Sequence, residues 1–186
     1  MNKKIPIGID NFSEIVLSEK KFLFVDKTLL IKDLIDKGSK VSLIIRPRRW
    51  GKTLNMSMLR YFFSREVNGE STHGIFDNLK IAKINDGQYL QYQGKNPVIF
   101  ITFKEVKEDN YKDFLDKVRL LIQLVCNELL ELEGSDKLTD LDKRNFEKLK
   151  GLNPTSLAND VELRDSLKTI SYLLRKHHKK KTIILI

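Results

Sequence analysis

Covalent cross-linking is the first thing this chain of 186 residues lacks: it carries one cysteine, Cys126, so no disulfide can form within it. Cys126 lies among apolar residues in segment 121–130 and is expected to be a small buried hydrophobe rather than a nucleophile or ligand. No run approaches the roughly 20 apolar residues that a membrane span needs. The opening MNKKIPIGID lacks the apolar core of a secretory signal. A reducing cytoplasm and no membrane partner are the expectation. Glycine and proline are scarce, nine and four, which excludes fibrous and low-complexity chains. What is present, 41% hydrophobic and 32% charged residues, suits a folded protein. The length suits one α/β unit of ordinary size with its own core.

Charge of one sign is in excess. Thirty-four Lys and Arg against 25 Asp and Glu give a formal net charge of +9, which favours anionic partners without naming a site. Phosphate and nucleic acid both fit.

Along the chain, segment 21–37 (KFLFVDKTLLIKDLIDK) opens as a short apolar strand and then changes period, with Leu30, Ile31, Leu34 and Ile35 on one helical face. Asp26 is placed to cap this helix, and Gly38 to end it in the left-handed conformation that glycine adopts without a side-chain clash. Segment 41–45 (VSLII) has the branched, apolar composition of a buried strand. Segment 54–63 follows with Leu54, Met58, Tyr61 and Phe62 on a common stripe. Segment 64–96 is polar and irregular, HGIFDNLKI suggesting a packed loop and Gly87 and Gly94 marking turns. Segment 97–103 (PVIFITF) is the continuous apolar run of a strand covered on both faces and predicts a second parallel strand. A long helix is expected over 110–132, ended by Gly134, then a charged, loop-like stretch over 135–154 with some helical potential. An amphipathic helix over 161–175 and a buried-type strand over 182–186 (TIILI) complete the pattern. Alternating strands and helices predict an open, mainly parallel sheet flanked by helices.

Between the expected strand 41–45 and the expected helix lies RPRRWGKT: Arg46, Pro47, Arg48, Arg49, Trp50, Gly51, Lys52 and Thr53. A P-loop reads G-x-x-x-x-G-K-[ST]; its backbone N–H groups cradle phosphates, its lysine reaches the terminal oxygens and its hydroxyl ligates magnesium. Gly51, Lys52 and Thr53 fit, whereas Arg46 occupies the first glycine position. An isolated GKT is more often an ordinary turn with a solvated lysine. Strand before and helix after are what an anion site at a helix terminus requires.

These residues also resemble a known family, the AAA-ATPase-like domains that are commonly followed by a PD-(D/E)XK nuclease-like region. The resemblance is carried by IPIGIDNFSEI, by FVDKT at residues 24–28, by SLIIRPRRWGKTLNMSMLRYFF and by KNPVIFITFK, spread over residues 5–104. The family's loop has the same R-P-R-R-aromatic-G-K form. The resemblance implies a P-loop NTPase fold binding ATP with Mg2+, with Lys52 on the β- and γ-phosphates, Thr53 on the metal and Arg46 to Gly51 wrapping the phosphate chain. Asp26, Lys27 and Thr28 match a family signature of unassigned role, and helix capping by Asp26 stands beside ligand contact. In such ATPases a later apolar strand ends in an acidic pair that orients magnesium and activates water. TIILI resembles that strand, and the chain stops at Ile186. The expectation is one domain over 1–186, incomplete at the carboxyl end and truncated at the Walker B strand, that binds ATP without the acids hydrolysis needs. Nuclease activity is not implied.

The rival reading is a basic nucleic-acid-binding fragment, built on the run RKHHKKK at residues 175–181. Against it, no aromatic residue is interleaved to stack bases, and cations at a helix carboxyl end also answer the helix dipole. His177 and His178 point to different helical faces, His73 is isolated, and Glu128, Glu131, Glu133 and Asp136 fit the charged face of a helix.

Overall fold

The computed structural model describes residues 4–18, 22–104, 106–151 and 157–186. It is an α/β chain that divides into two compact units, residues 1–96 and 97–186.

The first unit opens with α1, Phe12–Val16, whose N-cap Asn11 accepts a bond from the Ser13 N–H. Next comes α2, Leu29–Lys37, ended by Gly38 at φ 58°, the left-handed stop that the sequence predicts. The third helix, α3, Lys52–Phe63, buries Met58, Tyr61 and Phe62 of the expected stripe together with Leu59, while Leu54 is half-buried. A hairpin of β1, Glu66–Val67, and β2, Glu70–Ser71, turns through Asn68 and Gly69, both at positive φ. Asn-Gly is the dipeptide that tolerates this turn, and it gives a hairpin to a segment expected to be irregular. Helix α4, Lys80–Lys83, runs into a kinked 3-10 segment, Ile84–Tyr92. Gly87 and Gly94 do turn the chain, at φ 75° and 64°.

The core of this unit is aromatic. Phe12, Phe62 and Phe76 are all 0% exposed. Phe76 stacks on Phe12 with centroids 5.1 Å apart and meets Phe62 edge-on at 5.1 Å. Quadrupole-favoured pairs of this kind add about 0.5–1.5 kcal/mol each beyond area burial. Alpha-1 is also hydrogen-bonded to α3, the Phe12 N–H donating to Ser57 Oγ at 3.0 Å.

Two strand expectations fail here. Residue 21 lies outside the described residues, and of the opening strand only a single parallel bridge between Phe22 and Lys4 is present. Segment 41–45 forms no strand. Val41, Leu43 and Ile45 are 86%, 83% and 73% exposed, and among the described residues no ladder pairs with them. Branched apolar residues favour extended backbone, but a strand exists only where a neighbour takes its N–H and C=O groups.

The second unit holds the parallel pair, β3 (Val98–Phe100) with β4 (Ile183–Leu185), in register Val98 to Ile183, Ile99 to Ile184 and Phe100 to Leu185. Three residues of each expected strand pair in parallel as predicted, but among the described residues they make a two-stranded sheet rather than the open, mainly parallel sheet expected, and Phe103, Ile184 and Ile186 stay exposed rather than covered. Helix α5, Tyr111–Asn127, starts at the N-cap Asn110 and ends short of the expected 132. A separate 3-10 turn, Leu130–Leu132, follows. Helix α6, Asp140–Lys150, occupies the stretch expected to be loop-like. Thr139 and Asp142 close a reciprocal capping box at its start. The expected helix over 161–175 is two helices, α7 (Asp160–Arg164) and α8 (Ser166–His178), broken at Asp165. Ile99, Ile122, Cys126, Leu132, Phe146, Ile170 and Leu174 meet in one core. Burial pushes the Cys126 thiol up to about 12, which agrees with its expected role as a hydrophobe.

Candidate functional site

The loop that precedes α3 is shaped by two left-handed residues. Arg49 has φ 67° and Gly51, the helix N-cap, φ 74°. A side chain at Gly51 would be strained by the backbone alone, since its nearest neighbour would be Lys27 Nζ at 3.7 Å, an ordinary contact. Gly51 is required for conformation rather than for space. The reversal delivers Lys52 and Thr53 into the first turn of a helix twelve residues long, where backbone N–H groups lack intrahelical acceptors. The positive end of the helix dipole lies at the same point.

Lys52 folds back across the loop, its Nζ donating to the Arg46 carbonyl oxygen at 2.6 Å. Arg46 also donates from Nη1 to the Ile45 carbonyl at 3.1 Å. Arg46, Pro47, Arg48, Arg49, Trp50, Lys52 and Thr53 are all exposed, and Gly51 is half-buried. Among the described residues no carboxylate pairs with Arg48, Arg49 or Lys52, so the loop is a concentration of cations without internal neutralisation. Beside it a cleft of about 170 Å³ opens, with Gly51, Leu54 and Met58 on one side and Phe12, Leu23 and Phe24 on the other.

Asp26, Lys27 and Thr28 come to the same region from the start of α2. Asp26 Oδ1 accepts from the Thr28 N–H at 2.9 Å and from the Thr28 hydroxyl at 2.6 Å. Its other oxygen accepts from the Lys80 N–H at 2.8 Å, and Thr28 Oγ1 accepts from the Ile81 N–H at 3.1 Å. Asp26 is therefore not the N-cap expected from the sequence: Thr28 stands at that position without a side-chain cap bond, and Asp26 instead ties the backbone before α2 to the first N–H of α4. Burial alone would raise the Asp26 carboxyl, but the Thr28 hydroxyl and the two N–H donors outweigh it and hold the group below its ordinary value. Lys27, between them, is exposed and donates to the Trp50 carbonyl oxygen at 3.2 Å. The contacts with Lys80 and Ile81 span more than fifty residues, and no local pattern announces them.

A family model for a predicted AAA-ATPase matches residues 6–186 of the chain. The chain belongs to that AAA-ATPase-like family. No curated protein and no solved structure matches it. An ATPase-like role and the use of a nucleotide follow from membership, and the family's extent covers both compact units.

The basic run at the end of α8 is partly consumed within its own unit. Lys176 pairs with Asp142, His177 Nδ1 lies 2.8 Å from Ser135 Oγ, and His178 Nε2 lies 3.5 Å from Glu131 Oε1. Lys179 closes the helix in the left-handed conformation. Among the described residues no helix is long and apolar enough to cross a membrane.

Proposed function

We propose that the loop formed by Arg46, Pro47, Arg48, Arg49, Trp50, Gly51, Lys52 and Thr53 binds the phosphate chain of ATP, within a P-loop NTPase type of fold. The observation that carries this reading is the left-handed Gly51, which turns the loop's backbone into the first turn of α3 and sets Lys52 and Thr53 there. Phosphate oxygens offer Lys52 a charged acceptor in place of the neutral Arg46 carbonyl, so that the bond becomes ionic on both sides. The apolar cleft beside Gly51 gives the base a wall of Leu23 and Leu54.

Magnesium suits the same site on the chemistry of its donors. The ion usually keeps several waters and takes few protein oxygens, completing its shell with substrate phosphates. Thr53, exposed in the first turn of α3, supplies one such oxygen. Bound there, the ion would neutralise phosphate charge. Turnover needs more than this, because phosphoryl transfer also depends on a group that orients the attacking water. The proposal is for binding. Its test is equilibrium binding of labelled ATP with and without Mg2+ by the wild type and by Lys52→Ala; equal binding by the two proteins defeats it.

A further inference from the structure

Lys27 belongs to no element of the phosphate loop, yet its ammonium is held against it. Both neighbours of Lys27 are consumed by the fold. Thr28 is 0% exposed, its hydroxyl donating to Asp26 and accepting from the Ile81 N–H. Asp26 ties the Thr28 and Lys80 N–H groups together. The backbone of Lys27 is therefore fixed between α2 and α4 while its side chain stays in solvent. That side chain reaches the Trp50 carbonyl at 3.2 Å and lies 3.7 Å from where a Gly51 Cβ would stand.

The two lysines occupy opposite ends of one loop. Lys52 Nζ rests on the carbonyl of Arg46 and Lys27 Nζ on that of Trp50, so each ammonium holds a neutral acceptor that a phosphate oxygen would outcompete. Among the described residues no hydrogen bond joins the Asp26 or Thr28 side chain to the loop; they reach α4. None of the Asp26 and Thr28 bonds uses the Lys27 side chain, so a fold role for the pair leaves the intervening cation unexplained.

We propose that Lys27 is a second phosphate-binding residue of the nucleotide site, supplied from outside the loop, and that Asp26 and Thr28 are the positioning residues that aim it. This rests on the reading of the loop as a phosphate site. On binding, the Lys27 ammonium leaves the Trp50 carbonyl for a phosphate oxygen, while the Asp26 bonds stay as they are.

The test is calorimetric titration of ATP and Mg2+ into wild type, Lys27→Met, Lys27→Gln, Lys27→Arg and Lys52→Ala. Loss of a charge-assisted bond predicts that Lys27→Met and Lys27→Gln bind about 10- to 100-fold more weakly. Lys27→Arg, which keeps the cation, should recover most of the loss. The melting temperatures without nucleotide should agree within about 2 °C, because the removed side chain is exposed. Unchanged affinity in Lys27→Met and Lys27→Gln, together with loss in Lys52→Ala, overturns the role of Lys27 and leaves the loop standing. Absence of ATP binding by the wild type, or full binding by Lys52→Ala, removes both.

Discussion

Lys52 Nζ bridges its own loop, donating to the carbonyl oxygen of Arg46 six residues earlier at 2.6 Å. The bond closes the loop around its backbone and stores the ammonium at the mouth of the helix. An exposed bond of this kind contributes on the order of 1 kcal/mol or less to stability. Its worth as a phosphate contact is greater, since it then becomes ionic on both sides. Lys52→Ala should accordingly lose ATP affinity by about 100-fold or more while its melting temperature moves by no more than about 2 °C. Equilibrium dialysis with labelled ATP and a thermal melt, run on the same preparation, check the two halves.

The Asp26 staple should make the first unit acid-sensitive. Asp26 has its carboxyl lowered in the folded state, with burial opposing and the bonds from Thr28 and Lys80 prevailing. A carboxylate whose folded value lies below its unfolded one stabilises the protein above the unfolded value, and the benefit is lost as pH falls through the folded value. Loss of a hydrogen bond to a charged group costs about 1.5–3 kcal/mol. Asp26→Ala should therefore unfold at lower urea concentration than wild type at pH 7, and the gap should close as the pH is taken down through the carboxylate range below about 4. Urea titrations at several pH values measure it; a gap that stays constant into acid contradicts the assignment.

Phe76 offers a sharper test of packing. It is fully buried between Phe12 and Phe62, stacked on one and edge-on to the other. Truncation to alanine removes both ring pairs and leaves a cavity, for which about 3–5 kcal/mol is the usual cost. Such a loss is a large share of the stability of a small protein. Phe76→Ala should unfold at a much lower denaturant concentration than wild type, whereas Phe76→Leu should recover part of the difference.

Cys126 should be chemically silent until the second unit opens. Its thiol is 0% exposed and raised to about 12 by burial, so the thiolate that reacts with disulfide reagents is scarce at pH 8. A chromogenic thiol reagent should label the native protein slowly and the urea-unfolded protein at once. Rapid labelling of one thiol per native chain would contradict the packing described.

How much of this could be seen in the sequence depended on the range of the interaction. The helices α2 and α3 were legible because their apolar residues repeat at helical spacing and because Gly38 and Gly51 mark their ends locally. Helix α6 was not, since its few apolar residues are outnumbered by charge. Its local signs were the Thr139 and Asp142 capping box and the left-handed Gly151 at its end. The loop over residues 46–53 was legible as a spacing, and the strain at Arg49 was not. The role of Asp26 was half legible: its bond to Thr28 is local, while its bond to the Lys80 N–H joins residues 54 apart.

Segment 41–45 carries the last prediction, because composition and structure part there. The segment is as apolar and branched as 97–103, yet Val98, Ile99 and Phe100 have a parallel partner in Ile183, Ile184 and Leu185, and Val41, Leu43 and Ile45 stand exposed. The difference lies in pairing rather than in propensity, since a strand's stability comes from cross-strand bonds and packing. Amide protection reports that pairing directly, because exchange follows the opening of each hydrogen bond. The amides of Ile101 and Ile183, which donate to the Leu185 and Pro97 carbonyls at 2.9 Å, should exchange slowly. Those of residues 41–45 should exchange at rates near those of an open chain. Slow exchange across 41–45 would mean that the segment pairs as a strand after all, and that the loop over residues 46–53 is anchored at both ends rather than by α3 alone.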